Sequence, residues 1–278
     1  MNASPPAPRT IESLRHQFEV EKSLAARLRA STQQERAELF KVLYEELFRL
    51  VPDHPRLTRV DQAAYQARVA STQMRLLKPV LGLDKVVIEF APGDCHLARV
   101  IAPHVKQVIG VDISDQRTPG EHFPDNFQLL VYDGSQVPMT PGSADVVFSY
   151  QFLEHLHPDD IAPHFELAAA LLKPGGAYIF DTPHRLSGPH DIAGAFGDEL
   201  VCLHMQEWTY RELRERVQQH GFGQTFMYRR GKPVRSALMN AINEKLEFAL
   251  NLLPSYSRRR IAKRIFSSVT MMAQKNHF

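Results

Sequence analysis

Cysteine is scarce in this chain: only Cys95 and Cys202 occur among 278 residues. Two thiols cannot build a disulfide framework, and so few of them fit a reducing compartment. Long apolar runs are missing too. None approaches the roughly 18–20 residues that a bilayer span requires. The opening MNASPPAPRT has no apolar core behind a basic start, so no secretory signal is expected. A large net charge is also absent, since 33 Lys and Arg against 31 Asp and Glu leave +2. With 44% hydrophobic and 23% charged residues, the composition excludes wholesale disorder, a collagen-like fibre and a coiled-coil rod.

The small net charge is unevenly spread. From Ser255 onward there are six basic residues (Arg258, Arg259, Arg260, Lys263, Arg264, Lys275) and no acidic ones. The other 254 residues therefore hold 27 basic and 31 acidic residues, a net of −4. A mildly acidic body argues against gripping long nucleic acid, which needs clustered positive charge.

Residues 1–9 are rich in Pro, Ala and Ser and are expected to be disordered. Between 10 and 50, Leu24, Leu28, Leu39, Phe40, Leu43 and Leu47 recur at helical spacing, predicting one or two amphipathic helices. Residues 59–78 predict another, stopped by Pro79. The character changes at Lys85. Short β-branched runs at 86–90, 107–113, 126–133, 144–150 and 177–183 alternate with helical stretches at 95–104 and 159–172. Such alternation predicts a parallel sheet covered on both faces. Residues 208–222 read as a helix with a Thr209–Glu212 capping box and a stop at Gly221, followed by a possible strand TFMYRR. Two further helices are expected at 235–253 and 256–274, the second from the spacing of Ile261, Ile265, Phe266, Val269 and Met272. The division that follows is a helical extension over 1–80, a ligand-binding domain over 81–232 and a helical basic tail over 233–278.

The chemistry sits at strand ends. The first strand carries Glu89 and runs into a tight small-residue turn and then a helix, a geometry that lets backbone N–H groups approach a ligand. The second ends in Asp112, where a carboxylate can accept ribose hydroxyls. The third ends in Asp133-Gly134, placed to meet an adenine edge. These ends share one edge of the sheet, where open α/β sheets bind ligands.

This ordered set resembles the class I S-adenosylmethionine-dependent methyltransferases over roughly residues 80–230: Glu89 to Gly93, Asp112, Asp133-Gly134, the strand ADVVFSY, and LLKPGG before the fifth strand. The resemblance implies an α/β Rossmann-like sheet of seven strands, the last antiparallel, flanked by the helical extensions. It also implies S-adenosylmethionine as cofactor. The family's acidic-x-G-x-G-x-G motif is here Glu89-Phe90-Ala91-Pro92-Gly93-Asp94-Cys95, with only the middle glycine kept. Residue by residue, Glu89 would lie under the methionine amino group's network. Ala91 and Gly93 would form the close-approach turn, and Asp112 would take the ribose with Ile113 on the adenine. Asp133 and Gly134 would hold the adenine edge, and Tyr150 and Gln151 would flank the methionine part. A dinucleotide dehydrogenase would need a third small residue where His96 stands.

After the fourth strand, Gln151, Glu154 and His155 would share one face of a helical turn. With His204 in HMQEWT they resemble the metal motif of small-RNA 3′-terminal 2′-O-methyltransferases, and more loosely the ubiquinone-pathway O-methyltransferases. Gln151 replaces the motif's first Glu. That resemblance implies Mg²⁺ or Mn²⁺ held by Glu154, His155 and His204. Without a metal, Glu154 or His155 would serve as general base. The loop after the fifth strand, with His184, Arg185 and His190, resembles that of methyltransferases of the type 11/12 group found with glycan biosynthesis, and those three residues would bind substrate. The expectation is a cytoplasmic O-methyltransferase acting on a sugar, glycan or other diol-bearing metabolite. Its basic tail would pack on the body or on a second subunit, or alternatively give peripheral contact with the inner face of the membrane. An RNA-terminal ribose methyltransferase and a non-catalytic binding protein of the same fold are the alternatives.

Overall fold

A computed structural model describes residues 9–59, 62–134 and 136–277. The disorder expected over 1–9 falls outside the described residues for 1–8. Arg9 itself is ordered by an ion pair to Asp53 (3.0 Å).

Four helices come first: α1 (Ile11–Arg29), α2 (Gln33–Leu50), α3 (Pro55–Thr58) and α4 (Gln62–Leu77). Thr10 and Thr32 cap α1 and α2 with their side-chain oxygens, and Glu35 completes a capping box on α2. The apolar stripe Leu24, Leu28, Leu43 and Leu47 buries one face of each helix against the other and closes over Leu203 and Met205.

The sheet follows: β1 (Val86–Phe90), α5 (His96–Ile101), β2 (Gln107–Asp112), β3 (Phe127–Val131), β4 (Ala144–Tyr150), α6 (Ile161–Leu171), β5 (Leu172–Pro183), α7 (Tyr210–Gln219), β6 (Phe222–Arg229), β7 (Lys232–Pro233), α8 (Ala237–Asn251), α9 (Ser255–Ile265) and β8 (Ser268–Lys275). The strand order is β3-β2-β1-β4-β5-β8-β6-β7. β1 through β5 pair in parallel, and β8 lies antiparallel between β5 and β6. Alternate residues of β1 face opposite layers. Ile88 and Phe90 join the core under α6 and α7, while Val87 packs with Leu77, Leu97 and Phe148 under α4 and α5. Burial on both faces explains why these strands read as continuous apolar runs.

The tail differs from the expected pair of helices. The second helix stops at Ile265, and residues 268–275 become an interior strand. Val269 and Met272 recur at a helical interval, yet Val269, Met271, Met272 and Ala273 are all buried. A strand covered on both faces loses its two-residue alternation, so periodicity could not separate it from a helix. The sheet accordingly has eight strands rather than seven, the extra one being the two-residue β7. The chain's last strand is antiparallel as expected, and the supposed tail completes the sheet. Replacing Met271, which is 3% exposed, by Ala should therefore cost about 2–5 kcal/mol in urea denaturation. In a frayed terminal segment the same change would cost about 0.5 kcal/mol or less.

No helix among the described residues is long and apolar enough to cross a membrane.

Candidate active site

The loop after β1 carries three positive φ angles at alternate positions: Ala91 (52°), Gly93 (56°) and Cys95 (57°). A Cβ in this left-handed region costs about 1–2 kcal/mol, so the backbone asks for glycine at all three places and receives it once. The conformation is held by Ala91 N donating to Val111 O (2.9 Å) and Gly93 N donating to the Asp112 carboxylate (3.3 Å). The Cys95 side chain is wholly buried, and burial pushes its thiol up to about 12, so it fills space as an inert small hydrophobe.

Above this loop lies a cavity of about 670 Å³ at the carboxyl ends of β1, β2 and β4. All nine residues expected to hold the cofactor line it: Glu89, Ala91, Gly93, Asp112, Ile113, Asp133, Gly134, Tyr150 and Gln151. Glu89 is buried, and its Oε2 has no hydrogen-bond partner among the described residues. Burial, reinforced by Asp94 and Asp112, raises its carboxyl to about 8. Asp112 is also raised by burial, while backbone N–H donors from Ser114 and Gly93 pull the other way. Asp133 Oδ1 accepts the Gln136 N–H (3.0 Å).

Gln151 departs from the expected helical face. Its φ is +53°, and the short 3-10 turn begins only at Leu153. Its side-chain amide donates to Asp181 Oδ1 and its backbone N–H to the Asp181 carbonyl oxygen (2.7 Å each). Ser268 and Thr270 of β8 donate to Asp181 Oδ2. The chain's last strand thus positions a residue of the cavity.

Glu154, His155 and His204 do converge, with a donor atom of each within 4.8 Å of the others. Glu154 is buried, accepts Thr182 Oγ1 at Oε2 (2.9 Å) and leaves Oε1 without a partner among the described residues. Burial raises it to about 7. His155 Nδ1 donates to Leu203 O (3.1 Å), which leaves its Nε2 lone pair free, and His204 Nδ1 donates to Glu207 (2.9 Å). Burial would lower His204, yet the Glu207 hydrogen bond and the nearby Glu154 and Asp191 carboxylates outweigh it and raise its pKa, favouring the protonated ring. Burial, with the nearby His204, lowers His155 to about 3, so its ring is neutral. Burial lifts the Glu207 carboxyl, yet hydrogen bonds from His190 and His204 outweigh it and hold Glu207 near 2. His155 lines the cavity along with the residues expected to hold the cofactor, whereas Glu154 and His204 are not among its lining residues.

His204 owes its position to the N-terminal helices. Its neighbours Leu203 and Met205 plug the core between α1 and α2, so 204 turns the other way, toward Glu154. Arg29 of α1 binds the carbonyls of Leu200 (2.8 Å) and Val201 (3.1 Å), and Met205 N donates to Glu154 O (2.7 Å).

The three residues expected to bind substrate are not among those lining the cavity. His184 is fully buried: Nδ1 accepts the Leu186 N–H (3.2 Å), Nε2 donates to Glu247 (2.7 Å), and the ring stacks on Phe266. With both nitrogens engaged it is a structural residue. Arg185 pairs with Glu212 at the surface (3.0 Å). His190 bonds Glu207 and Ser187, and so supports His204 from behind.

The rest of the cavity wall is built by the N-terminal helices. Phe40, Tyr44 and Phe48 of α2, Arg56 of α3, Arg59, and Tyr65 of α4 line the cavity opposite the sheet. Arg56 lies over the rings of Tyr44 (5.2 Å) and Phe48 (5.7 Å), and Arg59 over Tyr65 (3.5 Å). Neither guanidinium meets a carboxylate among the described residues. Bidentate pairing of Arg36 with Asp160 (2.7 and 2.8 Å) fixes this roof to the start of α6, and Gln66 donates to Asp94 (2.6 Å) at the cofactor loop. The spacing of Phe40, Tyr44 and Phe48 at i, i+4 and i+8 was visible, but a stripe facing a cavity looks like one facing a core.

A parallel sheet with an inserted antiparallel strand, a tight turn after β1 and acidic strand ends define an α/β protein of the class I methyltransferase fold. A methyltransferase-domain family profile matches residues 62–224, more than half of the chain, and the chain belongs to that family. A curated relative from Mycolicibacterium smegmatis, named as an S-adenosylmethionine-dependent methyltransferase, is 29% identical over 150 residues. The match covers 53% of this chain and 55% of the relative, so it spans about half the relative's length. Among solved structures, human N-acetylserotonin methyltransferase in complex with its methyl donor superposes with a TM-score of 0.56 at 15% identity, covering 94% of this chain and 67% of that one. An S-adenosylmethionine-dependent methyltransferase from Archaeoglobus fulgidus gives 0.51 at 16% identity, covering 76% and 94%. At such identities these structures establish the fold.

Proposed function

We propose that the protein transfers the methyl group of S-adenosylmethionine to a hydroxyl of a sugar, glycan or other diol-bearing metabolite. The observation that carries this reading is one cavity lined by Glu89, Asp112 and Asp133 on one side and by neutral His155 on the other. In the transfer, the acceptor oxygen attacks the methyl carbon, the S–C bond breaks, and S-adenosylhomocysteine leaves. The hydroxyl proton goes to the free Nε2 of His155, whose neutral tautomer is held by Leu203 O; burial makes it a weak base, so it takes the proton late, once the oxygen has begun to bond the methyl carbon and its proton has become strongly acidic. Proximity and alignment of the two substrates supply much of the rate. The aromatic rings of α2 offer faces for a sugar ring, and Arg56 and Arg59 offer charge to an acidic group on it.

In place of that base role, Glu154, His155 and His204 would suit a divalent cation, which would take up the His155 Nε2 lone pair. A buried carboxylate oxygen without a partner among the described residues and the free Nε2 of His155 form a donor set, which His204, oriented from behind by Glu207, joins when a cation displaces its Nε2 proton. Glu154, His155 and His204 would hold the metal, and two nitrogen donors favour Mn²⁺ over Mg²⁺. When bound, it would lower the pKa of an acceptor hydroxyl.

Calorimetry with S-adenosylmethionine, followed by transfer of labelled methyl to candidate glycans and diols, tests the reading. Binding with transfer to a hydroxyl is expected. Absence of both heat and thermal shift would leave only a non-catalytic protein of this fold. Chelator should lower the rate if the metal is resident, and His204→Ala should abolish any Mn²⁺ or Mg²⁺ dependence. The aromatic–arginine roof favours a second reading, the terminal ribose of an RNA. Tight, salt-sensitive retention of short RNA in filter binding would put that reading first.

A further inference from the structure

Helices α8 and α9 expose an unusual surface. Eight of the large hydrophobic side chains left exposed by the fold fall between 238 and 265. In α8 the exposed positions are Ala237, Leu238, Ala241, Ile242, Lys245, Leu246, Phe248, Ala249 and Asn251, so its outward face carries a single charge, and that charge is positive. Leu238 and Phe248 are 70% and 62% exposed. Both acids of the helix turn inward: Glu244 pairs with Arg214, and buried Glu247 accepts from His184 and from the Tyr210 backbone N–H. At the corner into α9, Leu252 and Tyr256 are 70% and 76% exposed.

Helix α9 adds the charge. Arg260, Lys263 and Arg264 are exposed alongside Ile261 and Ile265. Of Lys245, Arg258, Arg259, Arg260, Lys263 and Arg264, only Arg259 meets a carboxylate among the described residues, Asp198 at 3.3 Å. Residues 248–278 contain no Asp or Glu. A large apolar patch rimmed by one sign of charge marks an interaction surface.

We propose that the α8–α9 hairpin docks the protein on an anionic lipid surface, with the apolar face of α8 and the Leu252–Tyr256 corner entering the headgroup boundary and the α9 cations meeting the phosphates. Charge decides between occupants. In a two-fold pairing of this chain with itself, the α9 cations would face each other with no acidic residue on the patch to neutralise them, whereas anionic headgroups supply that charge. Each cation near such a surface strengthens partition about fivefold. Docking would place the methyl-transfer cavity on a protein fixed at the membrane, as a lipid-linked or membrane-proximal acceptor requires, yet the docking itself is independent of the reaction.

Flotation of the full chain with vesicles of phosphatidylcholine, and of phosphatidylcholine and phosphatidylglycerol in equal parts, tests this. Wild type should float with the mixed vesicles alone and be released by high salt. Arg260→Glu with Arg264→Glu should bind at least about twentyfold more weakly, and Phe248→Asp with Leu252→Asp should also lose the vesicles. All four side chains are exposed, so the variants should melt with wild type. Equal flotation on both vesicle types, or none on either, would overturn the proposal. So would sedimentation showing that the aspartate pair turns a dimer into a monomer, since the occupant would then be a second copy.

Discussion

Glu89→Gln should make the ligand-free protein more stable at pH 8 while weakening its hold on S-adenosylmethionine about tenfold or more. The cause is a carboxyl raised from an ordinary 4.5 to about 8, chiefly by burial. Between those values the folded chain keeps a proton that the unfolded chain has released. This group's contribution to stability is therefore present in full below 4.5 and lost as pH rises toward 8. The penalty at pH 8 is on the order of 4 kcal/mol, from about 1.4 kcal/mol per pH unit. A glutamine avoids the charge but leaves a buried amide short of partners, which costs about 1–3 kcal/mol. A net gain of about 1–3 kcal/mol in urea denaturation at pH 8 should remain and should vanish by about pH 5. In binding, the sulfonium and ammonium of the donor favour the ionised form. Affinity of the wild type should thus rise with pH, roughly tenfold per unit well below 8, and level off above it. The glutamine variant should show a flat profile. A wild-type affinity independent of pH between 6 and 9 would remove Glu89 from the donor's surroundings.

His155→Ala should lower kcat by about 10²–10⁴ while leaving S-adenosylmethionine affinity within a few fold. The ring lines the cavity, is neutral, and has one nitrogen held by Leu203 O, so the other offers its lone pair as a proton acceptor in the proposed reaction. Alanine removes that nitrogen but leaves the donor's strand ends untouched, so calorimetry and turnover should separate. A parallel loss of binding would mean that His155 shapes the donor site instead. Adding imidazole should restore part of the rate if proton removal is the missing step.

Much of the proposed donor half was legible in the chain. Glu89, Asp112 and Asp133 lie on or just after strands whose apolar runs are readable without knowing their neighbours, and a parallel sheet brings such ends together by topology alone. The Thr209–Glu212 capping box was equally local and formed as read. The acceptor half was not legible. Phe40, Tyr44 and Phe48 have the spacing of core residues, and nothing local says that α2 faces a cavity. His184, with its loop-like surroundings, turned inward because Glu247, sixty-three residues on, supplies it with a buried partner.

Short-range sequence thus determined the helices, the parallel strands and the acidic set at their ends, because caps, turns and apolar periodicity act within a few residues. Tertiary structure decided that residues 268–275 form an interior strand, that the N-terminal helices hold His204 against Glu154 and His155, and that arginines and aromatic rings roof the cavity. Each of those outcomes depends on partners scores of residues away, and no local preference specifies which partner will be there.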